Sequence, residues 1–187
     1  NVEGQSGGKG VPATKSFVVD PADGRIPYRP DVLARRDANR QQRETADPAA
    51  KCLQAGVPRA TYRPAPLQIL QSPGQVAVVY QDNHAYRVFY PSSRPHFTGV
   101  DWWMGDSRSY WEGNTLVVDV TTLTDLTWFD SSGNFHSNAL HVVERYTPTG
   151  RNTLQYEARI EDPNTCTRPW TIRTTLHRNT GRNAQLI

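Results

Sequence analysis

The chain has 187 residues and a formal net charge of +3, and its mean hydropathy of −0.67 is low for a globular protein, so polar loops must take up much of the length. Arginine is spread along the chain with no Lys/Arg run, which argues against a nucleic-acid partner. No apolar run approaches the roughly 18 residues of a membrane helix, so no membrane span is expected.

At this length one domain is expected, with an N-terminal segment, residues 1–66, packed on a β-barrel formed by residues 67–187. Residues 1–15 are polar and small and read as a flexible leader; the Gly-Gly-Lys-Gly at 7–10 follows no strand and is not a phosphate loop. The chain begins at Asn1, as would a mature form whose secretory signal has been removed, although a trimmed chain looks the same. A short extended piece, residues 17–19, precedes a Pro- and Gly-punctuated turn. Pro30 and Asp31 then open the one predicted helix, residues 31–45, because Pro is tolerated in a first turn and Asp suits the positive end of the helix dipole. It offers little apolar surface beyond Val32, Leu33 and Ala38, which predicts an exposed helix. From 47 to 66 prolines recur too often for regular structure, giving an extended connector that holds Cys52 and Tyr62. Cys52 and Cys166 are the only thiols, and one disulfide or two free thiols fit the count equally.

After Leu67 the pattern changes to short alternating runs at 67–71, 76–81, 84–90, 107–112, 115–120, 139–146, 153–161 and 170–177. Ser72-Pro73-Gly74-Gln75, Asp82-Asn83, Gly113-Asn114 and Pro148-Thr149-Gly150 supply the Pro and positive-φ positions of hairpin turns. The expected fold is all-β: an antiparallel, eight-stranded, up-and-down barrel of lipocalin-like form, with room inside for side chains and one small ligand. Within it the hairpin 107–120 is scaffold, with Trp111 and Leu116 as core candidates.

Two long connections, 91–106 and 121–138, interrupt the hairpins, and loops of that length are commonly functional or mobile. The first holds Arg94, His96, Asp101, Trp102, Trp103 and Met104; the second holds Asp125, Trp128, Phe129, Asp130 and His136. Four of the five tryptophans fall between 102 and 128. On a barrel both loops can border one rim, with Trp103, Met104, Trp128 and His96 lining a pocket; alternatively the tryptophans only plug the barrel. His136, His141 and His84 are candidate proton carriers, with Asp101 or Glu144 to orient them, because a histidine near a carboxylate in an apolar cavity titrates in the range such work needs. A histidine satisfied by backbone, or lying at the surface, is the plainer reading of each. Alternation places Arg87 on one face with Ala85 and Phe89, and an inward Arg87 needs a carboxylate, which Glu144 or Asp119 can supply. Such a pair either holds a substrate acid or stitches the strands together. The histidine spacing fits no helical zinc pair, and no nucleophile or nucleotide motif is present, so neither a metal nor a cofactor is expected.

Several strings carry a likeness: Asn83-His84-Ala85-Tyr86-Arg87, Trp103-Met104-Gly105-Asp106-Ser107, the run 111–119, His136-Ser137, the run 141–146, Ile160-Glu161-Asp162-Pro163 and Thr167-Arg168-Pro169-Trp170. Together, from about Val18 to Trp170, they resemble a large family of uncharacterised exported bacterial proteins. The resemblance implies a removed signal peptide and a periplasmic or secreted location, and no activity. The chain departs from that pattern at Asn114, where Asp is usual, and at Leu186-Ile187, where relatives continue into a Cys-containing tail; a tail that pairs with the Cys52 position would displace a Cys52–Cys166 bridge.

The functional expectation is a β-barrel that takes an apolar or aromatic small molecule, with cofactor-free acid/base chemistry of the lyase, isomerase or hydrolase type. A carrier without catalysis is the first alternative. A subunit that assembles with copies of itself through segment 1–66 is the second.

Overall fold

Alternation carries the chain into strands. In the computed structural model, which describes residues 2–4 and 15–181, the extended piece near residue 18 is β1 (Val18–Asp20) and the runs after Leu67 are eight further strands. These are β2 (Leu67–Ser72), β3 (Gln75–Tyr80), β4 (Tyr86–Pro91), β5 (Asp106–Glu112), β6 (Thr115–Thr121), β7 (His141–Gly150), β8 (Thr153–Glu161) and β9 (Trp170–His177). All nine form one sheet in the order β1-β9-β8-β7-β6-β5-β4-β3-β2.

The sheet is not closed, because β1 and β2 are its edges and do not pair. The expected eight-stranded barrel is thus an open nine-stranded sheet. Its antiparallel run also breaks once: β4 and β5 are parallel and meet only at Tyr90–Arg108 and Pro91–Ser109. A parallel neighbour needs a long connection, which the loop 92–105 supplies. His84, expected at the start of a strand, lies in a turn with φ of 48°, and Asn83 before it has φ of 54°.

The predicted helix is a single turn, Pro30–Val32, followed by α1 (Leu33–Gln41) and α2 (Arg43–Ala46), with no buried residue in any of the three. The connector after it is less extended than its prolines imply. It contains a short turn at Pro48–Lys51 and a one-turn helix, α3 (Arg59–Tyr62). Asp47 and Arg59 are both buried and joined by two hydrogen bonds at 2.7 and 2.8 Å, which pins the start of the connector to α3. The leader expected at 1–15 lies mostly outside the described residues, as do residues 7–10, 186 and 187. Val2 is buried, and its N–H donates to Asp130 at 2.8 Å. No helix among the described residues is long and apolar enough to cross a membrane.

One face of the sheet is core. Val76, Val78, Phe89, Val118, Val120, Val142, Tyr146, Tyr156, Ile160, Trp170 and Ile172 share one apolar cluster with Ala55, Val57 and Ala60 of the connector. The second long loop is buried as well: Leu123, Phe129, Phe135 and Leu140 belong to the same cluster, and Phe129 meets the Trp170 ring edge-on at 5.1 Å. It fills the core instead of framing a rim. Gly56 lets the connector approach this loop, since a Cβ there would lie 2.5 Å from Thr127 Oγ1.

Within this face Arg87 donates to Glu144 twice, at 3.1 and 2.6 Å, with side-chain exposures of 1% and 0%. Ser107 Oγ takes a further Arg87 N–H at 2.9 Å, while the Tyr146 and Tyr156 hydroxyls donate to Glu144 at 3.2 and 2.7 Å. Burial works against the charge on Arg87, yet Glu144 beside it holds its pKa well above the usual value. In a flat sheet β4 and β7 would stand about 14 Å apart, three strand spacings. Direct bonds between them therefore require the sheet to curl.

Replacing Glu144 by Ala leaves Arg87 charged and unpaired, and should cost about 3–5 kcal/mol in denaturant unfolding. The double replacement Arg87→Met with Glu144→Leu removes both charges and should recover most of that loss; a double variant as unstable as Glu144→Ala would overturn this account.

Candidate functional site

The opposite face of the sheet carries the ionisable cluster. On β6, Val118 and Val120 turn inward and Asp119 outward; on β7, Val142 and Glu144 turn inward and His141 outward. The register sets Val120 opposite Val142 and Asp119 opposite Val143, which makes Asp119 and His141 diagonal neighbours. Across the other edge of β6, Arg108 lies opposite Asp119 and Asp106 opposite Thr121. His96 comes from the loop 92–105 and completes the group.

Arg108 fixes that loop. Its guanidinium donates to the carbonyls of Arg94 at 3.0 Å and Pro95 at 2.7 Å and to Asp106 Oδ1 at 2.6 Å, and it stands 5.3 Å from the Phe97 ring centre. The other Asp106 oxygen accepts from Phe97 N–H at 3.1 Å and from His96 Nδ1 at 2.8 Å. His96 Nε2 lies 3.5 Å from one Asp119 oxygen, and His141 Nε2 donates to the other. Nitrogen donors and carboxylates therefore alternate along Arg108, Asp106, His96, Asp119 and His141.

The far end of this row is open to solvent, with the side chains of His141 and Asp119 exposed at 39% and 40%. The bond from Asp119 raises the His141 pKa above the ordinary histidine value, and the bond from His141 lowers that of Asp119. Since Nε2 of His141 carries the bonded proton, its Nδ1 is the nitrogen free to accept one; among the described residues it has no hydrogen-bond partner. Among the described residues no three His, Cys, Asp or Glu side chains are arranged to hold a metal ion.

Of the residues proposed from sequence, only His96 and His141 meet here, bridged by Asp119. His136 is buried under Phe129, taking the Thr127 hydroxyl at Nε2 (2.7 Å) and giving its Nδ1 proton to the Ser137 carbonyl (2.9 Å); burial lowers its pKa. His84 and Asp101 are exposed at separate turns, and Arg87 and Glu144 are sealed within the other face. Met104 and Trp128 are buried and Trp103 is half-buried, while Trp111, expected in the core, is half-exposed. Cys52 is exposed, Cys166 is buried, and both thiols are free; burial pushes the Cys166 thiol up to about 11.

Asp106 and Arg108 escaped the sequence reading as site residues, and Asp119 entered it only as a possible partner of Arg87, not of a histidine. The available signal was Asp119 itself, an acid in an otherwise apolar run, but its diagonal relation to His141 depends on strand register. No family model, no curated protein and no solved structure matches this chain.

Replacing Asp119 by Asn should bring the His141 pKa back down toward the ordinary histidine value, read from its imidazole NMR signals against pH. The same pair stabilises the fold fully below the unfolded histidine value of about 6.5 and loses that contribution as pH rises through the raised value. From the carboxylate side it is lost as pH falls through the lowered Asp119 value. An unchanged His141 titration in the Asn variant would show that Asp119 does not set its basicity.

Proposed function

We propose that the outer face of this sheet is a cofactor-free acid/base site acting on a small molecule with an apolar or aromatic part. The observation that carries the reading is the Asp119–His141 dyad, in which a carboxylate orients an accessible imidazole and leaves Nδ1 to take or return a proton. In a hydrolytic version Nδ1 removes a proton from water, the water oxygen bonds to a carbonyl carbon, and the imidazolium then protonates the departing oxygen.

The apolar contact would come from the neighbouring loop. Phe97, Val100 and Trp102 are among the exposed large apolar residues, and all three lie on 92–105. That loop is tied down beside the dyad by Arg108 and Asp106, and again where Trp102 N–H donates to the Thr122 carbonyl at 2.8 Å. A carrier that uses the inner face finds less support, since the connector and the second loop occupy it. The curl around Arg87 and Glu144 supports describing the sheet as a barrel left open between β1 and β2. The motif resemblance supports an exported, periplasmic or secreted, location.

An aryl-ester series such as p-nitrophenyl acetate and butyrate supplies the test. Saturable hydrolysis should fall about 10²- to 10⁴-fold in His141→Gln and in Asp119→Asn, with thermal stability little changed. Wild-type rates should rise with pH through the raised His141 pKa. Hydrolysis equal in all three proteins would remove the proposal.

A further inference from the structure

A second site stands apart from the dyad. Beside α1 the surface opens into a cleft of about 1140 Å³, walled by the helix, the turn 23–28, residues 3–4 and the loop 131–134. Four arginines line it: Arg36 and Arg40 from α1, Arg43 from α2, and Arg25 from the facing turn. Arg36 and Arg40, four apart on α1, project from one side of that helix, and Arg43 at the start of α2 lines the same cleft beside them.

We propose that this cleft binds a small, multiply charged oxyanion, the chemistry of a polyphosphate or a tricarboxylate. The two carboxylates in the lining are held by uncharged donors, and neither forms an ion pair with these arginines among the described residues. Glu3 accepts Ile26 N–H at 2.8 Å and the Asn134 amide at 3.4 Å, and Asp23 accepts Arg25 N–H at 3.1 Å. Arg36 pairs with Asp37 at 2.9 Å, whereas Arg25, Arg40 and Arg43 form no ion pair with a carboxylate among the described residues. Guanidinium forks match phosphate and carboxylate oxygens two at a time.

The opposite wall is held in shape. Buried Asp130 accepts from Ser132 N–H at 2.9 Å and from the Asn134 amide at 3.0 Å, folding the loop back on itself. Gly133 then rests against the helix, where a Cβ would lie 2.5 Å from Arg40 N. The concave form favours a compact anion over a nucleic-acid strand, which would need a long continuous basic track.

Calorimetric titration of the full chain with tripolyphosphate, citrate and a single-stranded oligonucleotide at about 0.15 M salt tests this. Tripolyphosphate or citrate should bind saturably at one site; the arm that binds identifies the phosphate or carboxylate form. The triple variant Arg36→Gln, Arg40→Gln, Arg43→Gln should weaken it by about tenfold or more, while Arg151→Gln, Arg159→Gln, Arg178→Gln, with the same net charge, should not. These arginines are on the surface, and an unchanged melting temperature shows that each variant is folded. Binding of neither small anion, equal weakening by both triple variants, or tighter binding of the oligonucleotide than of either small anion would overturn the proposal.

Discussion

The Arg87–Glu144 pair is the constraint around which the inner face is arranged. Its two charges sit on strands separated by two others, and they meet because the sheet curls until β4 faces β7. Once that contact forms, Ser107 accepts a further Arg87 N–H and the Tyr146 and Tyr156 hydroxyls donate to Glu144, while the buried Arg87 Nε has no hydrogen-bond partner among the described residues; the Phe89 and Tyr146 rings stand beside the pair with centres 6.1 Å apart. A buried ion pair is costly to assemble, so its main effect is on uniqueness: a slip of one residue in β4 or β7 would turn Arg87 or Glu144 to the outside and leave the other uncompensated. This matters most at β4 and β5, where only two residue pairs hold the sheet together.

The same alternation that buries Glu144 exposes His141, three positions earlier on β7. One face of the sheet is thereby committed to packing, and the other is left with a row of ionisable groups ending in an accessible imidazole. The two long loops divide in the same way. The loop 121–140 supplies Leu123, Phe129 and Phe135 to the core, and the loop 92–105 buries Met104 but leaves Phe97, Val100 and Trp102 exposed. Arg108 reconciles that exposure with order, since its bonds to the carbonyls of Arg94 and Pro95 hold the base of the loop still.

Strands, turns and the surface helix were legible in the sequence because each depends on neighbours along the chain. Period-two alternation, Gly-Asn and Pro-Gly punctuation, and Pro-Asp at a helix start act over a few residues. The pairing of Arg87 with a carboxylate was legible for a related reason, as an inward arginine in a strand demands one, although Glu144 and Asp119 were equally good candidates on pattern alone. His136 shows the opposite case: next to a loop rich in aromatics it looked like a proton carrier, and it is instead a core residue with both nitrogens satisfied.

The sequence by itself determined that the protein is mostly β, where its strands run and which side chains of each strand share a face. Only the tertiary structure decided that the sheet stays open, that the connector 47–66 enters the core, and that His96, Asp119 and His141 meet while His84 and His136 stand apart. The physical reason is range. Local patterns fix which way a side chain points from its own strand, but strand register and loop burial set what it meets. Those follow from contacts between residues far apart in the chain, such as Arg87 with Glu144 and Gly56 with Thr127.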